Sequence, residues 1–200
     1  MMNTFFLFDL DGTITREELL PRIAREAGLE EEMETLTRLT IEGFIDFESS
    51  FKLRFHLLRH VGVAHVQRSI AGATLDPHIE KFIHAKRECC AVVSGNLDIW
   101  IAPILERLGC TAYTSVSRCV KEGELELVSI LDKGKVARKM SVPGRNIVAV
   151  GESTNDISLF EEAHTRVAFG GVHEPVDALK RISDFIVYDG ATLCRLLNTL

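Results

Sequence analysis

Two aspartates, Asp9 and Asp11, directly follow the apolar run FFLF at residues 5–8. Such a run predicts a central strand of a parallel sheet, buried on both faces, and Gly12 predicts a turn after it. Open α/β sheets bind ligands at the carboxyl ends of their strands. Two positions apart along the strand, the carboxylates would share one face and could serve a ligand site. Solvated aspartates in a turn are the alternative, and this stretch by itself leaves both open.

A second polar group follows the apolar run of "VVSGN", residues 92–96. The Ser94 hydroxyl and the backbone N–H of Gly95, at a strand end before a helix, could hold an oxyanion or a phosphate. A serine that caps the next helix is the common alternative.

The stretch "VAVGESTND", residues 148–156, places further acids after a third apolar run. Glu152 and Asp156 could join Asp9 around a hard cation, which prefers oxygen ligands. In the alternative, Ser153 or Thr154 caps a helix and Asp156 favours its positive end. That alternative does not account for Glu152, which stands at the strand end.

Two cations carry signals of unequal strength. Lys133 begins a short helix in "DKGK" and could act as a point charge on phosphate, although helix lysines are usually solvated. Arg54 falls on an apolar helical stripe that includes Phe51 and Phe55. An arginine on an apolar face needs a partner or an anion, unless it extends to solvent at the edge of the stripe.

Glu18 fits a capping box with Thr15, but Pro21 is tolerated only in the first turn of a helix. We therefore expect this helix to begin near Glu18, which weakens the capping interpretation.

The apolar runs alternate with helical patterns, which predicts a parallel sheet with helices on both faces. A weaker strand is predicted at residues 112–116. Residues 16–72 carry only amphipathic helical patterns, at about 18–27, 30–43, 47–61 and 63–70. A helical module is therefore predicted between the first strand and the next element of the sheet.

The bulk composition narrows the class of protein. The chain has 200 residues, 46% of them hydrophobic, and a net charge of −6. An acidic chain without a basic patch argues against nucleic acid or an anionic membrane as partner. Five cysteines without metal-binding spacing, and no secretory signal, predict a cytoplasmic protein. The oligomeric state is not readable.

The four groups occur in the order of the motifs of the haloacid dehalogenase superfamily: "DLDGT" at 9–13, Ser94, Lys133, and Glu152 with Asp156. Within it, "REAGLEEEMETL" and "DFESSFKLRFHLL" resemble the phosphoserine phosphatases. The resemblance implies a Rossmann-like α/β core at residues 1–15 and 73–200, with a helical cap at 16–72.

The resemblance also implies a phosphomonoester hydrolase acting on a small phosphorylated metabolite such as phosphoserine. Asp9 would be the nucleophile that becomes an aspartyl phosphate, and Asp11 the general acid and base. Mg²⁺ would be held by Asp9, the Asp11 carbonyl and Glu152, with Asp156 as a ligand or orienting its water. The implied substrate contacts are Ser94, Gly95, Lys133 and Asn155 for the phosphate, Glu18 for the amino group and Arg54 for the carboxylate.

Three departures put the substrate in question. Glu152 stands where the superfamily commonly has aspartate, and Gly12 where phosphoserine phosphatases usually have serine. The segment 110–132, with a turn at residues 122–123, is shorter than usual. A phosphatase or phosphotransferase for another small ester, and a catalytically silent phospholigand-binding module, remain the alternatives.

Overall fold

The computed structural model of the protein describes residues 3–121 and 124–200. Its strands are β1 (Asn3–Phe8), β2 (Cys90–Leu97), β3 (Thr111–Lys121), β4 (Glu124–Ser129), β5 (Arg145–Gly151), β6 (Thr165–Phe169) and β7 (Phe185–Val187). They form one sheet in the order β4-β3-β2-β1-β5-β6-β7, parallel except for the pair β3–β4. This confirms the predicted α/β class.

Helices in the described ranges flank the sheet or lie between β1 and β2. They are α1 (Leu19–Arg25), α2 (Glu30–Ile41), α3 (Phe47–Leu58), α4 (Val63–Ala71), α5 (Pro77–Ala85), α6 (Asp98–Leu108), α7 (Lys133–Met140), α8 (Ile157–Glu161), α9 (Asp177–Ile182) and α10 (Gly190–Leu197). None of them combines the length and the apolar composition needed to cross a bilayer.

Strand β1 lies at the centre of the sheet, between β2 and β5, as its sequence predicts. Phe6 and Phe8 share a buried cluster with side chains of α5, α6 and α10, while Phe5 and Leu7 share another with α7, α8 and α9. Burial of each such side chain stabilises the fold by about 1.5–3 kcal/mol. Helices on both faces therefore fix the position of Asp9, the residue that follows the strand.

The helical insertion, residues 16–72, contains α1 to α4. Helix α1 begins at Leu19, with Pro21 in its first turn, which confirms the start expected from the proline. Buried side chains of the insertion, such as Met33 of α2 and Phe51 of α3, belong to the same apolar cluster as one face of the sheet. The division into a core at 1–15 and 73–200 and a cap at 16–72 stays a prediction.

Two elements differ from the sequence prediction. Strand β3 is longer than the expected 112–116, and β4 was not expected at all. Both strands are largely solvent-facing and mix polar with apolar residues, as at the exposed Val120 and Val128, so their patterning is weak. The turn predicted at 122–123 lies outside the described residues. The helix expected at 154–163 is a 3₁₀ turn at 154–156 followed by α8.

Candidate active site

The carboxyl ends of β1, β2 and β5 open into a cleft that residues following all three strands line. The helical insertion forms the opposite wall with residues such as Phe47 and Thr40. Of the residues that the sequence predicts for the site, those that line the cleft are Asp9, Asp11, Glu18, Arg54, Gly95, Glu152 and Asn155. Ser94, Lys133 and Asp156 are buried around it.

Lys133 joins two of the predicted acids. Its Nζ donates to Oδ1 of Asp9 at 2.5 Å and to Oδ1 of Asp156 at 2.7 Å, and its side chain is buried. Burial alone lowers the pKa of Lys133, but Asp156 and Asp9 more than offset it, so that the pKa is raised and the ammonium stays charged. The solvated alternative for this lysine is wrong. The lysine instead places a fixed positive charge at the base of the cleft.

Asp9 is buried at 6% exposure, and its backbone N–H donates to the carbonyl of Val150 at 2.9 Å. Burial, and then the Asp156 carboxylate, raise the pKa of Asp9 well above its usual range, against the opposing effect of Lys133. Further positive charge in the cleft would therefore favour the ionised form of Asp9.

Asp11 is held by two donors and titrates near neutrality. Leu19 N–H donates to Oδ1 at 3.1 Å, and Nδ2 of Asn96 donates to Oδ2 at 2.7 Å. Burial and the nearby Glu18 carboxylate raise the pKa of Asp11 to about 7. A carboxyl group with such a pKa can both donate and accept a proton at neutral pH. Asn96 was missed in the sequence, where its position in the motif "VVSGN" was the available signal.

Glu152 has an environment that fits a cation. It is 2% exposed, and its Oε2 has no hydrogen-bond partner in the described residues. Burial, followed by Glu18 and Asp9, raises the pKa of Glu152 to about 10. A buried carboxylate oxygen without a donor beside further acids is the donor set that a hard divalent ion prefers. The residues present therefore fit the metal that the resemblance implies.

Gly12 accommodates the longer side chain of Glu152. Gly12 has φ +69°, and a Cβ built on it would lie 2.3 Å from Oε1 of Glu152 and 2.6 Å from Cδ. Serine at this position would overlap the carboxylate and adopt an unfavourable backbone conformation. Two departures from the usual motif, Gly12 and Glu152, are thus sterically matched in this chain.

Asp156 has a structural role that the sequence offered as an alternative. Its Oδ2 accepts from Glu152 N and Ser153 N, both at 3.0 Å, and from Ser153 Oγ at 3.3 Å. Ser153 and Asp156 form a reciprocal capping box. Because Oδ1 is bound by Lys133, both oxygens already have donors. Asp156 thus fixes Lys133 and the turn after β5, and its role at a cation stays a prediction.

The end of β2 forms another side of the cleft. Ser94 is fully buried, and its Oγ accepts from Asn96 N at 3.1 Å. A Cβ on Gly95 would lie 2.1 Å from Cζ of Phe47, so only glycine allows the α3 ring to sit this close. Thr154 Oγ1 also donates to the carbonyl of Thr40 in α2, at 3.0 Å. The helical insertion is therefore in direct contact with the end of β2 and with the turn that follows β5.

Arg54 lies in the wall that the insertion contributes. It is 4% exposed, its Nε donates to Ser50 O at 3.4 Å, and its Nη1 donates to Thr37 Oγ1 at 3.3 Å. No carboxylate of the described residues lies within 4.0 Å of it. The alternative that Arg54 extends to solvent is therefore wrong. A buried guanidinium with only two long hydrogen bonds still has N–H groups that can bind an anion.

Glu18 stands at the amino end of α1, partly buried, and lines the same cleft as Arg54. His173, in the loop after β6, places Nε2 3.3 Å from Oε1 of Glu18. Sequence reasoning missed His173, because a lone histidine in a loop carries no spacing signal.

Comparison with known proteins places this geometry in a family. Residues 6–161 match the model for haloacid dehalogenase-like hydrolases. The phosphoserine phosphatase of Methanocaldococcus jannaschii is 35% identical over 176 residues, covering 82% of this chain and 83% of that protein. That of Wolinella succinogenes is 31% identical over 176 residues, covering 82% and 85%.

Solved structures agree with the sequence relatives. A substrate-bound phosphoserine phosphatase has a TM-score of 0.83 and 31% identity, covering 100% of this chain and 99% of that one. A phospho-aspartyl intermediate analogue of phosphoserine phosphatase has a TM-score of 0.82 and 32% identity, with full coverage of both chains. By sequence, by fold and by the class of its relatives, the chain belongs to the haloacid dehalogenase-like hydrolases as a phosphoric monoester hydrolase of the phosphoserine phosphatase-like kind.

Proposed function

We propose that the protein hydrolyses phosphoserine through an aspartyl phosphate on Asp9. An Oδ atom of Asp9 attacks phosphorus and forms an O–P bond, while the bond from phosphorus to the serine oxygen breaks. Asp11 gives its proton to that oxygen. Water then attacks the aspartyl phosphate and loses a proton to Asp11, inorganic phosphate leaves, and Asp9 is regenerated.

The phosphoryl oxygens would be held by the Ser94 hydroxyl, the Gly95 N–H, Lys133 and the Asn155 side chain. In this proposal the fixed charge of Lys133 stabilises the negative charge that develops on those oxygens in the transition state. The hydrogen bond that Lys133 donates to Asp9 supports this role.

Mg²⁺ is the proposed cofactor, with the Asp9 carboxylate, the Asp11 carbonyl and Glu152 as the groups that would hold it. When bound, it supplies positive charge that keeps Asp9 ionised and neutralises the phosphate. The unpartnered oxygen of Glu152 and the raised pKa values of both acids support this choice.

Arg54 is the observation that carries the choice of phosphoserine. A buried guanidinium without an acidic partner faces the cleft from one side, and the Glu18 carboxylate lines the same cleft. A substrate with both a carboxylate and an amino group would satisfy both charges. An arginine pairs with a carboxylate in a bidentate way, which makes that end of the cleft selective.

The helical insertion would act as a cap that closes over bound substrate. The close packing of Phe47 on Gly95 and the Thr154–Thr40 hydrogen bond support this proposal, since they join the insertion to the strand ends. Closure would keep water from the phosphate until the aspartyl phosphate has formed.

A panel of small phosphomonoesters, assayed for phosphate release with and without Mg²⁺, tests this function. We expect the highest kcat/KM for phosphoserine and no turnover without a divalent ion. Phosphothreonine and phosphoethanolamine are matched probes, since the first adds a methyl group and the second lacks the carboxylate. If another ester is preferred over phosphoserine by a wide margin, the substrate proposal fails and the hydrolase class stands.

Replacing Glu152 by glutamine separates metal binding from folding. Loss of a charged ligand should raise the Mg²⁺ concentration for half activity about tenfold, the ratio that corresponds to ~1.4 kcal/mol. The pKa of Glu152 is raised to about 10 in the folded chain, so wild-type stability falls as the pH rises from the usual carboxyl range towards that value. Metal-free Glu152→Gln should therefore melt no lower than wild type at neutral pH.

Magnesium titrations of activity and melting curves without metal, on wild type and Glu152→Gln, provide both measurements. Glu106→Gln is the control, because Glu106 is an exposed residue of α6. An unchanged Mg²⁺ requirement in Glu152→Gln would exclude Glu152 as a ligand.

A further inference from the structure

The loop between β6 and α9 brings a histidine to the edge of the candidate active site. One ligand atom each from Glu18, Glu152 and His173 lies within 4.8 Å of the other two. No other group of three potential metal-binding side chains in residues 3–121 and 124–200 meets this criterion. The three come from the start of α1, the end of β5 and the loop after β6, so the fold itself assembles them.

Two of these groups have unused binding capacity. Oε2 of Glu152 is buried and has no hydrogen-bond partner, and the residue as a whole is 2% exposed. Nε2 of His173 is also buried and lacks an aligned hydrogen bond, although Oε1 of Glu18 is 3.3 Å away. Buried polar atoms in proteins normally have a partner. Two such atoms in one cluster indicate a ligand that would satisfy both.

The chemistry of the donors identifies the class of that ligand. An imidazole nitrogen with two carboxylates suits Zn²⁺ and related transition metals, whereas Mg²⁺ prefers oxygen donors and retained water. The side chains of Glu18 and His173 are 18% and 38% exposed, which leaves them room to rotate towards a common ion. Such rotation would bring the three ligand atoms closer together, as Zn²⁺ requires, because its bonds to nitrogen and carboxylate oxygen are about 2.0–2.2 Å long.

We propose that Glu18, Glu152 and His173 form an inhibitory transition-metal site of the Zn²⁺ type, which overlaps the proposed Mg²⁺ site at Glu152. Glu152 belongs to both sites, so an ion bound with His173 withdraws it from Mg²⁺. Glu18 is taken from the substrate at the same time. The inhibitory consequence rests on the proposed function, whereas the binding of the ion does not.

Zinc binding to the whole chain, measured by calorimetry without Mg²⁺, tests the site directly. The variant is His173→Gln, and the control is His78→Gln, an exposed histidine of α5. Loss of the His173 ligand should weaken Zn²⁺ binding by about tenfold or more. Even the loss of a group that only orients a metal ligand has an effect of about that size. Titration with Co²⁺ should give visible absorption bands in wild type and His78→Gln that His173→Gln changes.

Inhibition is measured in parallel as the Zn²⁺ concentration that halves each variant's own rate at fixed Mg²⁺. We expect that concentration to rise in His173→Gln by the factor found in calorimetry, and to rise in wild type as Mg²⁺ is increased. Zn²⁺ that merely replaces Mg²⁺ would bind and inhibit independently of His173. Equal Zn²⁺ affinity in wild type and His173→Gln therefore overturns the proposal. The calorimetric result decides even if no phosphomonoester is hydrolysed, so this proposal and the proposed function can fail separately.

Discussion

Asp9→Asn should abolish phosphate release while the protein stays folded. The amide is nearly isosteric with the carboxylate, but it cannot form the aspartyl phosphate. We expect a loss of at least about a thousandfold in kcat, comparable to removal of a nucleophile in other covalent hydrolases. The measurement is phosphate release from phosphoserine with saturating Mg²⁺.

Melting curves show whether such a loss is chemical or structural. Burial raises the pKa of Asp9, so its ionised form is unfavourable in the fold, and a neutral amide removes that penalty. Lys133 keeps Asp156 as its partner. The melting temperature should therefore stay close to that of wild type. Asp177→Asn, at an exposed position of α9, is the control for the same change of side chain.

Acid quenching during turnover of phosphoserine labelled on phosphorus adds a direct readout. Wild type should carry a protein-bound phosphoryl group that hydroxylamine releases, and Asp9→Asn should carry none. A folded Asp9→Asn protein with normal turnover would contradict the covalent mechanism.

The sequence was sufficient to predict the strand ends that meet at the site. Asp9, Ser94 and Glu152 each follow or end an apolar run, and parallel strands bring their carboxyl ends to one edge. That rule needs no tertiary information. The central position of β1 and its burial on both faces followed from the same patterning, whereas the order of the other strands did not.

Contacts that depend on the exact course of loops could not be predicted. Nothing in the spacing of Gly12 and Glu152 indicates that the Glu152 carboxylate occupies the space that a Cβ of residue 12 would need. The spacing of Asp156 fits both a cap and a cation site, and it does not indicate the hydrogen bonds with Lys133 and Ser153. The pattern of β4 was too weakly apolar to indicate a strand, because an exposed hairpin needs little burial.

Arg54→Ala should separate recognition of the substrate from chemistry. Arg54 is buried beside the cleft, and the structure gives it no acidic partner in the described residues. Losing a charge-assisted contact to the substrate carboxylate should lower kcat/KM for phosphoserine by about ten- to a thousandfold, or ~1.5–4 kcal/mol. Turnover of p-nitrophenyl phosphate, which has neither carboxylate nor amine, should hardly change.

Two further variants distinguish recognition from packing. Arg54→Met keeps most of the apolar stem of the side chain, but removes the guanidinium that lies over the Phe47 ring. If the guanidinium recognises the carboxylate, Arg54→Met should lose phosphoserine turnover about as severely as Arg54→Ala. Lys52→Ala, at an exposed position of the same helix, should affect neither substrate. Equal losses on both substrates, with Arg54→Met close to wild type, would mean that Arg54 supports α3 by packing. A selective loss for phosphoserine in both Arg54 variants would assign the buried charge to the substrate carboxylate, because packing contributes alike to the turnover of both esters.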